Sequence, residues 1–146
     1  MNSALLRFLP TVIFQIIHIN ISDLTTNPEA MLDSEQMMQV LTNLIKNAFD
    51  AMPAGGTVNI KLEDTLGDVI ITISDTGSGI KEEDRAKIFE PFFTTKSIGQ
   101  GTGLGLATAY GIVKMHKGQI TADSNNNPSK GATGTSFKIM LPRRKE

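Results

Sequence analysis

Apolar residues along this chain follow two rhythms, one of period two and one of period near 3.6. Residues 12–21 are rich in Val, Ile and Phe, which predicts a first strand. A polar stretch from Asp23 to Leu32, containing Asn27-Pro28, predicts a loop. Asp33 or Ser34 then caps a helix, and Gln36 stands three residues after Asp33 in a box-like arrangement. That helix runs to about Ala51, where MPAGG ends it, because proline and paired glycines do not continue a helix cheaply. Period two returns in TVNIKLE, apolar at Val58, Ile60 and Leu62, and in DVIITIS, apolar at Val69, Ile71 and Ile73. The short link around Leu66-Gly67-Asp68 makes these two strands a hairpin.

A short helix is expected over roughly Glu82–Phe89, a loop over Pro91–Thr102, and a helix over Gly103–His116 stopped by Gly118. Closing strands fall around Gln119–Ala122 and Thr135–Leu141, on either side of a loop rich in Gly, Asn, Pro and Ser. No internal repeat or low-complexity tract interrupts this order. The pattern predicts an α/β two-layer fold, a sheet of about five strands with three helices on one face.

At 146 residues, with 40% hydrophobic and 20% charged, the chain has material for one domain core without a metal or disulfide staple. Fourteen basic against 15 acidic residues leave no field of one sign to attract nucleic acid or an anionic membrane. The absence of cysteine excludes disulfides, thiolate zinc sites and a cysteine nucleophile, and two distant histidines do not support a transition-metal site. The opening MNSALLRFLPTVIFQIIHINIS is apolar, but it has no basic cluster or cleavage pattern. Pro10, Gln15, His18 and Asn20 interrupt it short of the roughly 20 residues that span a bilayer. A buried strand is the better reading, and the domain is expected in the cytoplasm with no membrane contact of its own. Residues 1–11 read as a linker end or an expression remnant, ahead of a domain over 12–146.

Candidate chemistry begins on the first helix. At about 100° per residue, Val40, Leu41, Leu44, Ile45 and Ala48 share one arc, while Asn43, Asn47 and Asp50 share the opposite arc with Lys46 close by. Asparagine is a mediocre helix former. Two of them one turn apart present neutral oxygens suited to a hard cation that also holds phosphates; the competing reading is a solvated helix face. Further on, GQGTGLGLATAYG starts a helix behind Gly99, Gly101, Gly103 and Gly105, where free N–H groups and the dipole favour an anion. Neither GxxxxGK[ST] nor GxGxxG is present, so a P-loop and a Rossmann site are unsupported. EPFFTTKSIGQ reads as a surface loop with its phenylalanines tucked inward, or as a mobile lid whose Lys96 reaches a phosphate.

In order, the chain carries NLIKNAFDAM, DTGSGI, EPFFTTK and GTGLGL. Together these resemble the N, G1, F and G2 boxes of the catalytic ATP-binding domain of two-component sensor histidine kinases, within the GHKL ATPase superfamily. The resemblance implies a two-layer sandwich of the Bergerat type with a mixed sheet, a long ATP lid, and ATP and Mg²⁺ as cofactors. By that resemblance Asp75 reads the exocyclic amino group of adenine, with Gly77 and Gly79 allowing close approach. Asn47 ligates Mg²⁺, Asn43 supports the phosphate end, and Lys96 neutralises the terminal phosphates. Gly101, Gly103 and Gly105 wrap them. Asp50, Ile80, Phe93, Thr94, Thr95, Thr102, Leu104 and Leu106 fall among the implied nucleotide-contacting positions, and Asn43 and Lys96 are the implied catalytic pair. Related hydrolases place a glutamate where Asn43 stands, and an amide cannot take the proton of an attacking water.

A histidine kinase also needs an acceptor histidine on an exposed helix. His18 falls in a strand and His116 ends a helix, so the acceptor and its dimerising hairpin are expected on a separate domain, in cis or in trans, with a response regulator downstream. Three alternatives stay open: a serine kinase of the anti-sigma type, a GHKL hydrolase, and a nucleotide-sensing module. The loop over residues 92–102 is expected to be mobile when empty and ordered with ATP and Mg²⁺.

Overall fold

The computed structural model describes residues 16–26, 29–96 and 101–143. Five strands form one mixed sheet: β1 (Ile17–Asp23), β2 (Gly56–Asp64), β3 (Asp68–Asp75), β4 (Gln119–Asn125) and β5 (Gly134–Pro142). Their order is β1-β2-β3-β5-β4, with β1 parallel to β2 and every other pair antiparallel. The register explains the two layers. Ile60, Ile73, Phe137 and Ala122 stand side by side across four strands, as do Leu62, Ile71, Ile139 and Ile120. One residue away along each strand, Asn59, Ser74, Ser136 and Asp123 form the matching row on the other face. A pleat that alternates sides turns this pattern into one apolar and one polar face.

Two α-helices cover the apolar face, α1 (Ser34–Asp50) and α2 (Gly105–Met115). Met37, Val40, Leu44 and Ala48 of α1 are buried, and α2 adds Ala109, Ile112 and Val113 to the same core. Two 3₁₀ helices complete the helical elements of the described residues, six residues over Glu82–Lys87 and three over Pro128–Lys130. Asp33 caps α1, its carboxylate accepting the Gln36 N–H at 3.1 Å. No helix among the described residues is long and apolar enough to cross a membrane.

Several boundaries differ from the sequence reading. β1 extends to Asp23, because its parallel partner β2 continues the ladder as far as Leu62, and it is an exposed edge strand rather than the expected buried one, with Ile19 and Ile21 both exposed. The part of the expected first strand at residues 12–15, and the Asn27-Pro28 pair, lie outside the described residues. α2 starts at Gly105 rather than Gly103, since Gly103 takes φ 69°, a left-handed conformation that no helix continues. At the other end the left-handed residue is Lys117, with φ 60°, and the Gly118 N–H returns to the Val113 carbonyl at 2.9 Å. Gly118 is required for space instead, as a Cβ there would lie 2.5 Å from the Met140 carbonyl oxygen. β4 runs on to Asn125 because its partner β5 begins at Gly134 and pairs with it.

Candidate functional site

A cleft of about 840 Å³ opens between α1, the start of α2, the turn after β3 and the loop that follows the first 3₁₀ helix. That volume lies within the range of small-molecule and cofactor pockets.

Asp75, the last residue of β3, lies on its wall. The Gly77 N–H donates to Oδ1 at 2.9 Å and the Thr135 N–H donates to the same oxygen at 3.2 Å. Both bonds use Oδ1, so Oδ2 keeps its acceptor capacity. Burial raises the Asp75 pKa above its ordinary 3.8, and the two backbone donors pull the other way without cancelling it. Gly79 takes φ 79°, and a Cβ on it would lie 2.2 Å from the Asn125 carbonyl oxygen, so only glycine lets this turn close against the β4–β5 loop. Ile80 continues the wall, its N–H donating to Ser124 Oγ at 2.8 Å.

The polar face of α1 supplies the opposite wall. Asn43, Asn47 and Asp50 line the cleft, and so does Lys46. Asn43 Nδ2 donates to the Gly105 carbonyl at 3.0 Å, which ties α1 to the first turn of α2. Asn47 carries the one buried side-chain polar atom, Nδ2, with no partner among the described residues. Its amide is therefore not spent on holding the fold. Among the described residues no cluster of three or more His, Cys, Asp or Glu is placed to hold a metal ion. A cation here would draw on neutral amide oxygen and on oxygens that a ligand brings, which is the donor set Mg²⁺ accepts with phosphates.

The loop from Pro91 closes the remaining side. Phe93, Thr94, Thr95 and Lys96 line the cleft, joined by Gly101, Thr102, Gly103, Gly105 and Leu106. The Lys96 N–H donates to Thr94 Oγ1 at 3.1 Å, and the lysine ammonium pairs with the Asp50 carboxylate. Phe93 packs on the core, whereas Phe92 is 74% exposed with φ 68°, its N–H held by the Gly103 carbonyl at 2.8 Å. Residues 97–100, which include Gly99 and part of the expected lid, lie outside the described residues.

Two expected site residues are not on the cleft. Gly77 is buried behind it, where a Cβ would lie 2.6 Å from the Ala51 carbonyl oxygen; its contribution is the N–H on Asp75. Leu104 does not line the cleft and is 39% exposed, its N–H donating to Thr102 Oγ1. The cleft also takes residues the motifs did not single out, among them Ser78, Lys81, Asp84, Asn126 and Thr135. Thr135 comes from a strand 60 positions beyond Asp75, and no local spacing marks it. Lys46 was visible, since it shares the helix arc of the asparagines.

The histidines take no part. His18 is exposed on β1, opposite Thr57 of β2. His116 caps α2, with Nδ1 donating to the Ile112 carbonyl at 2.8 Å and Nε2 accepting the Asp33 N–H at 3.0 Å, so it fastens the end of α2 to the start of α1.

Comparison with known proteins agrees with this fold. Residues 32–145 match the family described as histidine kinase-, DNA gyrase B- and HSP90-like ATPases. The chain is 46% identical over 112 residues to sporulation kinase A of Bacillus subtilis, covering 77% of this chain and 17% of that protein. It is 42% identical over 126 residues to the sensor kinase CckA of Brucella abortus, covering 76% of this chain and 13% of that one. The chain thus spans less than a fifth of the length of either relative. Among solved structures, the mycobacterial sensor histidine kinase MprB aligns with a TM-score of 0.75 at 30% identity, covering 89% of this chain and 86% of that one. The catalytic domain of the histidine kinase ThkA gives the same score and identity over 95% and 88%. With a family match over most of its length and the fold of histidine kinase catalytic domains, this chain belongs to the histidine kinase-, DNA gyrase B- and HSP90-like ATPase family.

Proposed function

We propose that this chain binds ATP with Mg²⁺ in the cleft and transfers the γ-phosphoryl group to a histidine on a separate phosphoacceptor domain, which passes it to a response regulator. The observation that carries the reading is Asp75: a half-buried carboxylate on the cleft wall, with one oxygen fixed by two backbone N–H groups and the other without a hydrogen bond among the described residues. Such an oxygen accepts from the amino group of adenine and rejects guanine, which offers a carbonyl oxygen at that ring position. Gly79 and Ile80 border the base, while Asn43, Asn47 and the turns at Gly101, Gly103 and Gly105 face the phosphates. The Asn47 amide oxygen would hold Mg²⁺ together with the nucleotide, and the ion would supply charge neutralisation there. Lys96 adds a positive charge. In the transfer, an imidazole nitrogen lone pair forms the bond to the γ-phosphorus as the bond to the β,γ-bridging oxygen breaks, and that electron pair leaves on ADP. Positioning and neutralisation suffice for such a loose transition state. Asn43 cannot act as base on water, which favours retention of ATP over its hydrolysis.

The test is incubation of the chain with labelled ATP and the acceptor domain of a histidine kinase. Label that reaches the acceptor and is lost in acid but kept in alkali is the expected outcome. Acid-stable label would point to a serine kinase, and rapid phosphate release without acceptor would point to a hydrolase.

A further inference from the structure

Lys96 lines the cleft, yet its ammonium is already engaged: Nζ donates to Oδ2 of Asp50, the last residue of α1. The lysine follows a fixed track to that partner. Its backbone N–H is held by Thr94 Oγ1, and its stem lies so near Gly101 that a Cβ there would come within 2.8 Å of Lys96 Cδ. Asp50 stands one turn beyond Asn47 on the cleft-facing side of α1. The two side chains are 31% and 38% exposed, and a pair at that exposure adds little to fold stability. A bare carboxylate at this point would repel phosphate, so an acid here makes sense only while its charge is engaged by a cation.

We propose that Asp50 is a positioning residue for Lys96 that sets the preference of the site for a nucleoside triphosphate over the diphosphate. The inference rests on the Mg-ATP reading above. A terminal γ-phosphate reaches the ammonium and draws it from the carboxylate. A diphosphate ends one phosphoryl unit short, so Lys96 stays on Asp50 and contributes nothing to holding it. Asp50 thereby weakens retention of the product more than binding of the substrate.

The experiment is calorimetric titration of ATP and of ADP, each with Mg²⁺, into the 146-residue chain and its variants. Asp50→Asn frees the lysine for the shorter nucleotide, so ADP should bind up to about fivefold tighter while ATP gains less, and the ATP:ADP preference falls. Asp50→Glu, which keeps the charge, should retain the preference. Lys96→Met should weaken ATP more than ADP, and adding Asp50→Asn to it, which removes a carboxylate left without its cation, should not lower the ATP:ADP preference further. An unchanged ratio in Asp50→Asn overturns the proposal. So does the same shift with and without Lys96, which would mean Asp50 acts on phosphate directly, or a loss of ATP affinity in Asp50→Asn, which would make Asp50 itself a ligand. Asp75→Asn separates the two levels. Binding that this variant abolishes, with a ratio indifferent to Asp50→Asn, overturns the Asp50 role alone. No nucleotide binding by the parent chain overturns the ATP reading with it.

Discussion

Asp75 is held between two opposed demands. Burial raises its pKa, yet its proposed role requires the ionised form. A carboxylate whose folded pKa exceeds its unfolded value binds protons more tightly when folded, so its contribution to stability is favourable below that folded pKa and is lost as pH rises through it. At neutral pH the charge is a cost that the empty fold carries. Asp75→Asn should therefore raise the melting temperature of the nucleotide-free chain at pH 7, with the gain shrinking as pH falls toward 3.8, the ordinary value. Thermal unfolding of both proteins across that range checks it. Nucleotide affinity should weaken over the same acid range in the parent chain. Gly79 is the second residue with no substitute. Alanine there meets the Asn125 carbonyl oxygen at 2.2 Å in a left-handed backbone, and should cost about 2 kcal/mol or more in denaturant unfolding. The acid after an apolar run was legible as a candidate from the sequence. Its two-donor cradle was not, because one donor comes from Thr135, 60 residues away.

At the scale of elements, α1 carries both the core and the cleft wall. Its apolar arc was readable from 3.6-residue periodicity: Val40, Leu44 and Ala48 are buried, Leu41 and Ile45 pack partly buried against the same core, and Met37, ahead of the expected residues, joins them. Leu44 is fully buried, and Leu44→Ala should destabilise the chain by about 3 kcal/mol, measured by urea unfolding. Asp33 was readable too, since a cap is a local signal; Asp33→Ala should cost about 1 kcal/mol in the same assay. The start of α2 was misplaced by two residues for a tertiary reason. Gly103 turns left-handed, and its carbonyl holds the Phe92 N–H, a contact between residues eleven positions apart that no helical pattern announces. The Asp50–Lys96 pair was equally invisible: each residue was marked separately, and only the fold brings them together.

For the whole molecule, the two-layer architecture follows from alternation in four strands and one amphipathic helix, and strand order is where sequence patterning alone stops. Placing β5 between β3 and β4 sets Thr135 beside Asp75 and so completes the cleft wall. A ligand that binds only this folded cleft must stabilise the fold by mass action. Mg-ATP at a hundred times its dissociation constant should contribute about 2.7 kcal/mol, seen as a rise in melting temperature that omission of Mg²⁺ reduces. The most direct test of the central claim is calorimetric titration of ATP, with and without Mg²⁺, into the parent chain and Asp75→Asn. Magnesium-enhanced binding to the parent is expected, weakened at least about tenfold in a variant that remains folded, because a hydrogen bond to a charged group is lost. Equal affinity in both proteins, or none in a folded parent chain, would contradict an adenine site built on Asp75.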